Sequence, residues 1–255
     1  MSNSDSIRGS FWKRSHHLDK MSFRELVVAY FQHHSIITYL TLAIVATVVA
    51  LVEYRTAPLR MAVAAAVIVL AYPLIWFLLH RYVLHSQWMY KMPLMASTWK
   101  RIHYDHHQDP NHLEVLFGAL YTTLPTILLI SAPIGWLIGG IGAMLTAIAS
   151  GLLMTAFYEF THCIQHLAYK PRNKALALMK ARHMAHHFHD EDGNFGITNF
   201  FWDRLFGTFY EVSSRPKSST VFNIGYTPEV AEVYPWVARL SGGVATGHPR
   251  QRLKQ

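Results

Sequence analysis

Cysteine is almost absent from this 255-residue chain, which carries Cys163 alone. No internal disulfide can form, and that fits a reducing, cytoplasm-facing location. The shortage of thiolates argues against iron-sulfur centres and cysteine-rich structural zinc sites. Charge is scarce too: 15% of residues are charged against 51% apolar, and the charges fall outside a few long apolar runs. That distribution indicates a membrane protein. Acidic residues number 15 against 23 Lys and Arg, a net charge of +8. The basic residues flank apolar segments and form no single stripe, so retention at a membrane explains them more simply than nucleic acid does. From Met1 to about Lys20 there is no short apolar core followed by a small-residue cleavage site, so no cleaved signal peptide is expected.

The apolar runs predict an all-α integral membrane protein. Ser22-Phe-Arg-Glu25 is a capping-box pattern ahead of Leu26, Val27, Tyr30 and Phe31 at helical spacing, which predicts an amphipathic helix on the membrane surface. His16, His17, His33 and His34 are paired neighbours that face different ways on a helix, and interfacial or solvated roles are expected for them. Ile36 to Val52 is uncharged over 17 residues, near the lower limit for a span. Met61 to Leu79 is a second uncharged run, with Pro73 tolerable as a kink, and Glu53, Arg55 and Arg60 bound the loop between them. Val115 to Tyr158 holds no charge across 44 positions, about twice one span. Pro133, Gly135, Gly139, Gly140 and Gly142 mark the turn of a helical hairpin there. About four transmembrane helices follow. Of the 23 Lys and Arg, only Arg55 and Arg60 fall in the far-side loop, so the positive-inside rule places both termini in the cytoplasm.

Histidine is abundant, outnumbering lysine 17 to 9, and ten of these residues form four clusters. His103, His106 and His107 share one helical face, as do His183, His186 and His187, so each triplet could grip one ion. His162 and His166 are a further i, i+4 pair. His80 and His85 break the rule: five residues of ideal helix rotate the side chain by about 140°. That pair needs a helix end or a distortion, or its members serve different ions. A stripe of Met95, Trp99, His103 and His106 leads into the second cluster before Asp109-Pro110 ends the helix. Another stripe, in a helix over Ala175 to His189, carries the fourth. All four are expected at one membrane surface, as a cytosolic helical cap carrying a dinuclear metal site. For one cluster alone, an amphipathic helix with a histidine-rich polar end explains the pattern equally well. Imidazole suits iron, zinc, copper or nickel. Ten neutral ligands leave the charge of two divalent ions to a bridging oxide or hydroxide, or to outer-shell carboxylates. Asp105, Glu159, Asp190, Glu191 and Asp192 are near enough in sequence for that. Glu159 stands out, one turn before His162 at a membrane boundary where an unpaired carboxylate is costly.

The order His80-X4-His85, His103-X2-His106-His107, His162-X3-His166 and His183-X2-His186-His187 resembles the fatty acid hydroxylase branch of the fatty acid hydroxylase/sterol desaturase superfamily. The segment Asn194-Phe-Gly-Ile-Thr-Asn-Phe-Phe-Trp-Asp-Arg-Leu-Phe-Gly-Thr208 is similar to the family's closing motif, and the match runs from about His80 to Tyr210. The resemblance implies a non-haem dinuclear centre, physiologically two iron ions with zinc as the ion a purified form could carry, and the ten boxed histidines as ligands. It also implies molecular oxygen as co-substrate and hydroxylation of an unactivated lipid C-H bond. The four-box pattern leans towards a fatty acyl chain, oxidised next to its carboxyl or amide carbonyl. His112 and His189 lie outside the boxes and are expected to be plain surface histidines, with an outer-shell role beside the metal as the alternative. Electrons would come from a separate ferredoxin, flavoprotein or cytochrome b5, since no fused cytochrome b5 domain is expected. Trp76, Phe77, Trp88, Phe157 and Trp202 are candidates to line an acyl site, although an interfacial aromatic belt explains them equally well. Sterol or carotenoid oxidation or desaturation within the superfamily is the alternative activity. A membrane metal-binding or metal-transport protein is the alternative class, but transport predicts ionisable ligands within the spans and not at their ends. The expected organisation is an N-terminal segment over 1–35, a first helix pair over 36–79, a catalytic region over 80–212 and a polar tail over 213–255.

Overall fold

The apolar runs form the long helices of a mostly helical chain, described for residues 16–54 and 57–244 in a computed structural model. Arg55 and the outermost parts of the two terminal segments, 1–15 and 245–255, lie outside the described residues. Helix α1 (Phe23–Gln32) starts at Ser22, whose side chain and that of Glu25 form the expected reciprocal capping box. It buries Leu26, Ala29 and Tyr30 and exposes Phe23, Val28 and Phe31. Helices α2 (His34–Glu53) and α3 (Pro58–Leu79) follow. Pro58 opens α3, where its fixed φ suits the first turn and no N–H is lost.

Beyond α3 the chain breaks into short pieces. A π-helical turn (His80–Leu84) precedes α4 (Gln87–Lys91) and α5 (Pro93–Trp99), and a second π-helical turn (Lys100–Tyr104) leads into α6 (Asp105–Gln108) and α7 (Leu113–Leu116). Helix α8 (Leu120–His166) is a hairpin interrupted at Gly139 and Gly140. Gly140 turns the chain with φ 69° and ψ −152°, a backbone conformation open to glycine and costly for other residues. The arms pack closely enough that a Cβ on Gly135 would lie 2.5 Å from the Cα of Met144. Of the residues expected to mark the turn, Gly139 and Gly140 make it, whereas Pro133, Gly135 and Gly142 lie within the arms. Helices α9 (Lys174–Phe188), α10 (Phe201–Leu205), α11 (Pro228–Val233) and α12 (Trp236–Ser241) complete the chain.

Among the described residues, three helical segments are long and apolar enough to cross a membrane: His34–Glu53, Pro58–Lys91 and Leu113–His166. Both α2 and α3 pack along the α8 hairpin. The hairpin turn meets the α2–α3 connection, since a Cβ on Gly142 would come within 2.7 Å of Tyr54 and one on Gly139 equally close to Arg60. The histidine clusters gather on α6, α9, the two π-turns and the C-terminal end of α8.

One expectation needs correction. His33 is buried at 5% exposure and stacks on Phe117 with ring centroids 3.9 Å apart, so it is not a solvated side chain. His17 stacks on His112 at 5.2 Å because residues 16–18 run beside 111–113, with Leu18 N–H donating to Asn111 O at 2.8 Å and Leu113 N–H to His16 O at 2.9 Å. The segment after residue 213 carries α11 and α12. Val221, Ile224 and Tyr226 are buried, and Tyr226 and Val237 share a core with Tyr90, Trp99 and Tyr104.

Candidate metal centre

Local helical geometry decides where each imidazole goes. In the first cluster the backbone widens into a π-turn, and His85 N–H donates to His80 O at 3.1 Å, an i to i+5 bond. A π-turn spreads its residues over a wider cycle than an α-turn, so side chains five apart return to one side. His80 and His85 accordingly belong to the same group, the distortion and not the two-ion alternative. A π-turn at Lys100–Tyr104 likewise carries His103.

The ten histidines fall into two groups of five. His80, His85, His103, His107 and His186 form one, and His106, His162, His166, His183 and His187 the other, each with ligand-capable nitrogens all within 4.8 Å of one another. Each triplet is therefore divided between groups, not committed to one ion. Positions i+3 and i+4 lie about 60° behind and 40° ahead of position i, so a triplet straddles two directions. His103 and His107 turn one way and His106 the other; His183 and His187 turn one way and His186 the other.

The rings point their Nε2 atoms inward. Nε2 of His85 and of His103 lie 2.8 Å apart, and Nε2 of His106 lies 3.1 Å from those of His162 and His187. His166 and His183 face each other through Nε2 at 3.0 Å. In the first group the opposite ring edge is anchored. Nδ1–H of His80 donates to Phe195 O at 2.6 Å, that of His186 to Gly193 O at 2.8 Å, and that of His107 to Val221 O at 3.1 Å. This tautomer leaves Nε2 with a lone pair, and Nε2 of all three rings is buried without a protein partner. Buried polar atoms without partners are costly. Converging neutral imidazoles with free lone pairs are a donor set that suits a divalent transition metal.

Burial holds the imidazoles outside the apolar spans neutral. His103, His106, His183, His186 and His187 are pushed well below the ordinary histidine range by desolvation, with neighbouring imidazoles adding to the effect. His107 falls to about 3, chiefly through burial.

Two of the three anchoring carbonyls, those of Gly193 and Phe195, belong to the loop that opens the Asn194–Thr208 motif. Asn194 adopts φ 55°, a left-handed conformation asparagine tolerates, and this residue separates the two carbonyls that reach His186 and His80. Its side chain is fixed on the Tyr210 backbone, donating to Tyr210 O and accepting from Tyr210 N–H, both at 3.1 Å. Asp203, fully buried, accepts the amides of Phe195 and Gly196 at 2.8 and 2.9 Å and the Thr208 hydroxyl at 2.8 Å. Backbone carbonyls leave no mark in side-chain patterns, so the loop's motif residues were the only signal available.

Four of the five candidate carboxylates have other partners among the described residues. Asp105 pairs with Lys100 at 2.6 Å and Asp190 with Arg215 at 2.8 Å. Glu191 accepts from the Thr220 hydroxyl, and Asp190 also accepts the Asp192 amide. Glu159 accepts the Gly118 amide at 3.0 Å. His112 pairs with Glu114 and is shifted upward by it, while His189 meets Arg215 O at 2.8 Å; neither belongs to a histidine group.

Below the histidines lies a cavity of about 350 Å³. Both groups contribute to its wall, His80 and His103 from one and His106, His162, His183 and His187 from the other. It continues between α3 and the hairpin past Tyr72, Thr155 and Ile127 to Ile68, Ser131 and Gly151, and on the other side past Trp88 and Met95. Glu159 is the single carboxylate among its described lining residues. Of the aromatic candidates, Trp76 and Trp88 line it, whereas Phe77, Phe157 and Trp202 do not.

Comparison with known proteins gives a consistent set of relatives. The fatty acid hydroxylase family matches residues 65–208. Dihydroceramide fatty acyl 2-hydroxylase FAH2 of Arabidopsis thaliana is 30% identical over 160 residues, covering 59% of this chain and 62% of that one. Fatty acid 2-hydroxylase of Mus musculus is 27% identical over 148 residues, covering 55% of this chain and 38% of that one. The chain thus matches less than two thirds of the length of these relatives. A solved structure of full-length scs7p, with only its hydroxylase domain visible, superposes with a TM-score of 0.59 at 23% identity, covering 72% of this chain and 68% of that one. That likeness establishes a shared fold.

Proposed function

Because the chain belongs to the fatty acid hydroxylase family, matched over residues 65–208, we propose that it is a membrane-bound non-haem di-iron oxygenase that hydroxylates a lipid C-H bond. Its substrate is a fatty acyl chain, oxidised at the 2-position. The observation that carries this reading is the opening of both histidine groups onto one largely apolar cavity. The 2-hydroxylase activity named for the relatives supports the choice of carbon.

In this reading His80, His85, His103, His107 and His186 hold one iron ion, and His106, His162, His166, His183 and His187 hold the other. Two iron ions there would supply activation of molecular oxygen and transfer of one oxygen atom to carbon, with electrons from a separate ferredoxin, flavoprotein or cytochrome b5. The protein's part is to bind and aim. Protons on Nδ1 of His80, His107 and His186 stay with the carbonyls of Phe195, Val221 and Gly193, which keeps each Nε2 lone pair directed inward. Ile68, Ile127 and Trp76 exclude water along the acyl chain, and the chain's position beside His162 and His187 brings one carbon to the centre. Glu159, anchored on the Gly118 amide, offers its remaining oxygen to the polar end of the lipid.

The membrane reading extends the same picture. With each arm of the α8 hairpin as a span, four spans place the two connections at Tyr54 and Gly140 on the far side and both termini and the metal centre in the cytoplasm. The catalytic region is then residues 80–212, joined by Val221 from the following segment. The test is mass spectrometry of hydrolysed lipids from cells grown in labelled oxygen gas, expressing the protein or its His186→Ala, His187→Ala variant. Acyl chains with one labelled oxygen, formed only by the intact protein, are the expected result. An unchanged acyl pool, despite metal-loaded protein and a supplied electron donor, would overturn the acyl reading.

A further inference from the structure

The two histidine groups differ in what stands behind their rings. In the first group, three of five rings have Nδ1–H fixed by a backbone carbonyl. In the second, Nδ1 of His106, His166, His183 and His187 is buried with no protein partner among the described residues. The supports of the first group also come from outside the helices that carry the ligands. Gly193 and Phe195 flank Asn194 in the loop clamped by Asp203. Val221 lies in a strap beyond the family-matched span, which ends at residue 208. The strap is tied down on both sides of Val221. Thr220 donates its hydroxyl to Glu191, Ser218 N–H donates to His189 O at 2.7 Å, and Gln108 donates its side-chain amide to Phe222 O.

A hydrogen bond to the far nitrogen of a ligating imidazole fixes its tautomer, holds the ring in its binding orientation and raises its basicity. Rings without that bond must be oriented by the ion itself. We infer that the two groups hold their ions unequally, and that the group of His80, His85, His103, His107 and His186 is the tight site. This rests on the reading of both groups as metal sites. Loss of one such outer partner typically weakens metal binding about 10–100-fold, so a difference of at least about tenfold between the sites is expected. The strap makes the difference a property of this chain's C-terminal segment as well as of its ligands.

The experiment is graded chelation of the full-length purified protein loaded with zinc ions alone, with retained metal counted by elemental analysis. Wild type should lose one equivalent at a chelator concentration about tenfold or more below that needed for the second. His183→Ala should abolish the labile step and keep the tight ion, whereas His186→Ala should abolish the tight step. Thr220→Val, which touches no ligand, should move the tight step towards the labile one and leave the labile step in place, in a protein of unchanged helicity. Release of both ions in a single step, a tight step that depends on His183, or a tight step indifferent to Thr220→Val would overturn the inference. Retention of no zinc by wild type is a different result, and it removes the metal reading on which the inference rests.

Discussion

Asp203 accepts the backbone N–H of Phe195 at 2.8 Å, and on the other face of the same residue the Phe195 carbonyl receives Nδ1–H of His80. One buried carboxylate is thereby two hydrogen bonds away from the His80 ring, whose Nε2 is buried without a protein partner. Asp203→Ala would strand the amides of Phe195 and Gly196, and a buried donor without a partner costs about 1–3 kcal/mol. The expected outcome is a destabilisation of about 3 kcal/mol with loss of bound metal, read by thermal melting in detergent and elemental analysis. Asp203→Asn, which keeps one acceptor oxygen, should lose less on both measures.

The π-turn at His80–Leu84 has a test that removes none of the ten clustered histidines. Deleting Val83 would restore an α-helical spacing of four between the two histidines and turn everything after it by about 100° relative to α3. The protein should still insert into membranes but retain about one ion fewer. Retention of the same metal content by the deletion variant would show that the widened turn does not matter.

Glu159 accepts the Gly118 amide and lines the cavity. Glu159→Gln should therefore leave metal content unchanged while raising KM for the lipid several-fold. A fall in metal content with unchanged KM would assign the carboxylate to charge balance at the centre.

Gly151 lies at the cavity's inner end, where an added Cβ would approach Ser131 Oγ to 2.6 Å. Gly151→Val should close that end and shift product chain lengths downward, with longer chains losing about tenfold or more in relative turnover, roughly the 1.4 kcal/mol that a tenfold ratio represents. Mass spectrometry of a mixed-chain substrate pool measures it directly.

Acid should destabilise the metal-free protein in a defined window. His107 titrates near 6.5 when exposed and near 3 in the fold. Between those values the unfolded chain binds the extra proton, so stability rises with pH there. It is fully present above about 6.5 and is lost as pH falls towards 3. The other buried imidazoles shifted the same way steepen that loss. Urea or thermal melts across this range, with chelator present, should show the decline.

Helices α2, α3 and α8, the Ser22 capping box and the turn at Gly140 follow from the sequence by itself, because they depend on local apolar length, capping chemistry and glycine's access to positive φ. The identity of the ten clustered histidines was legible for a related reason: spacing along a helix is a local property. Their division was decided by tertiary structure alone. Whether His186 joins His80 or His183 depends on how α9 is rotated against the two π-turns, and no repeat in the sequence encodes that angle. The carbonyls of Gly193, Phe195 and Val221 were equally hidden, because every residue carries a carbonyl and only the folded loop and strap bring these three to a ring. His33 reads as polar yet lies buried on Phe117, since the packing of the N-terminal segment against residues from the α7 end outweighs its own preference for water.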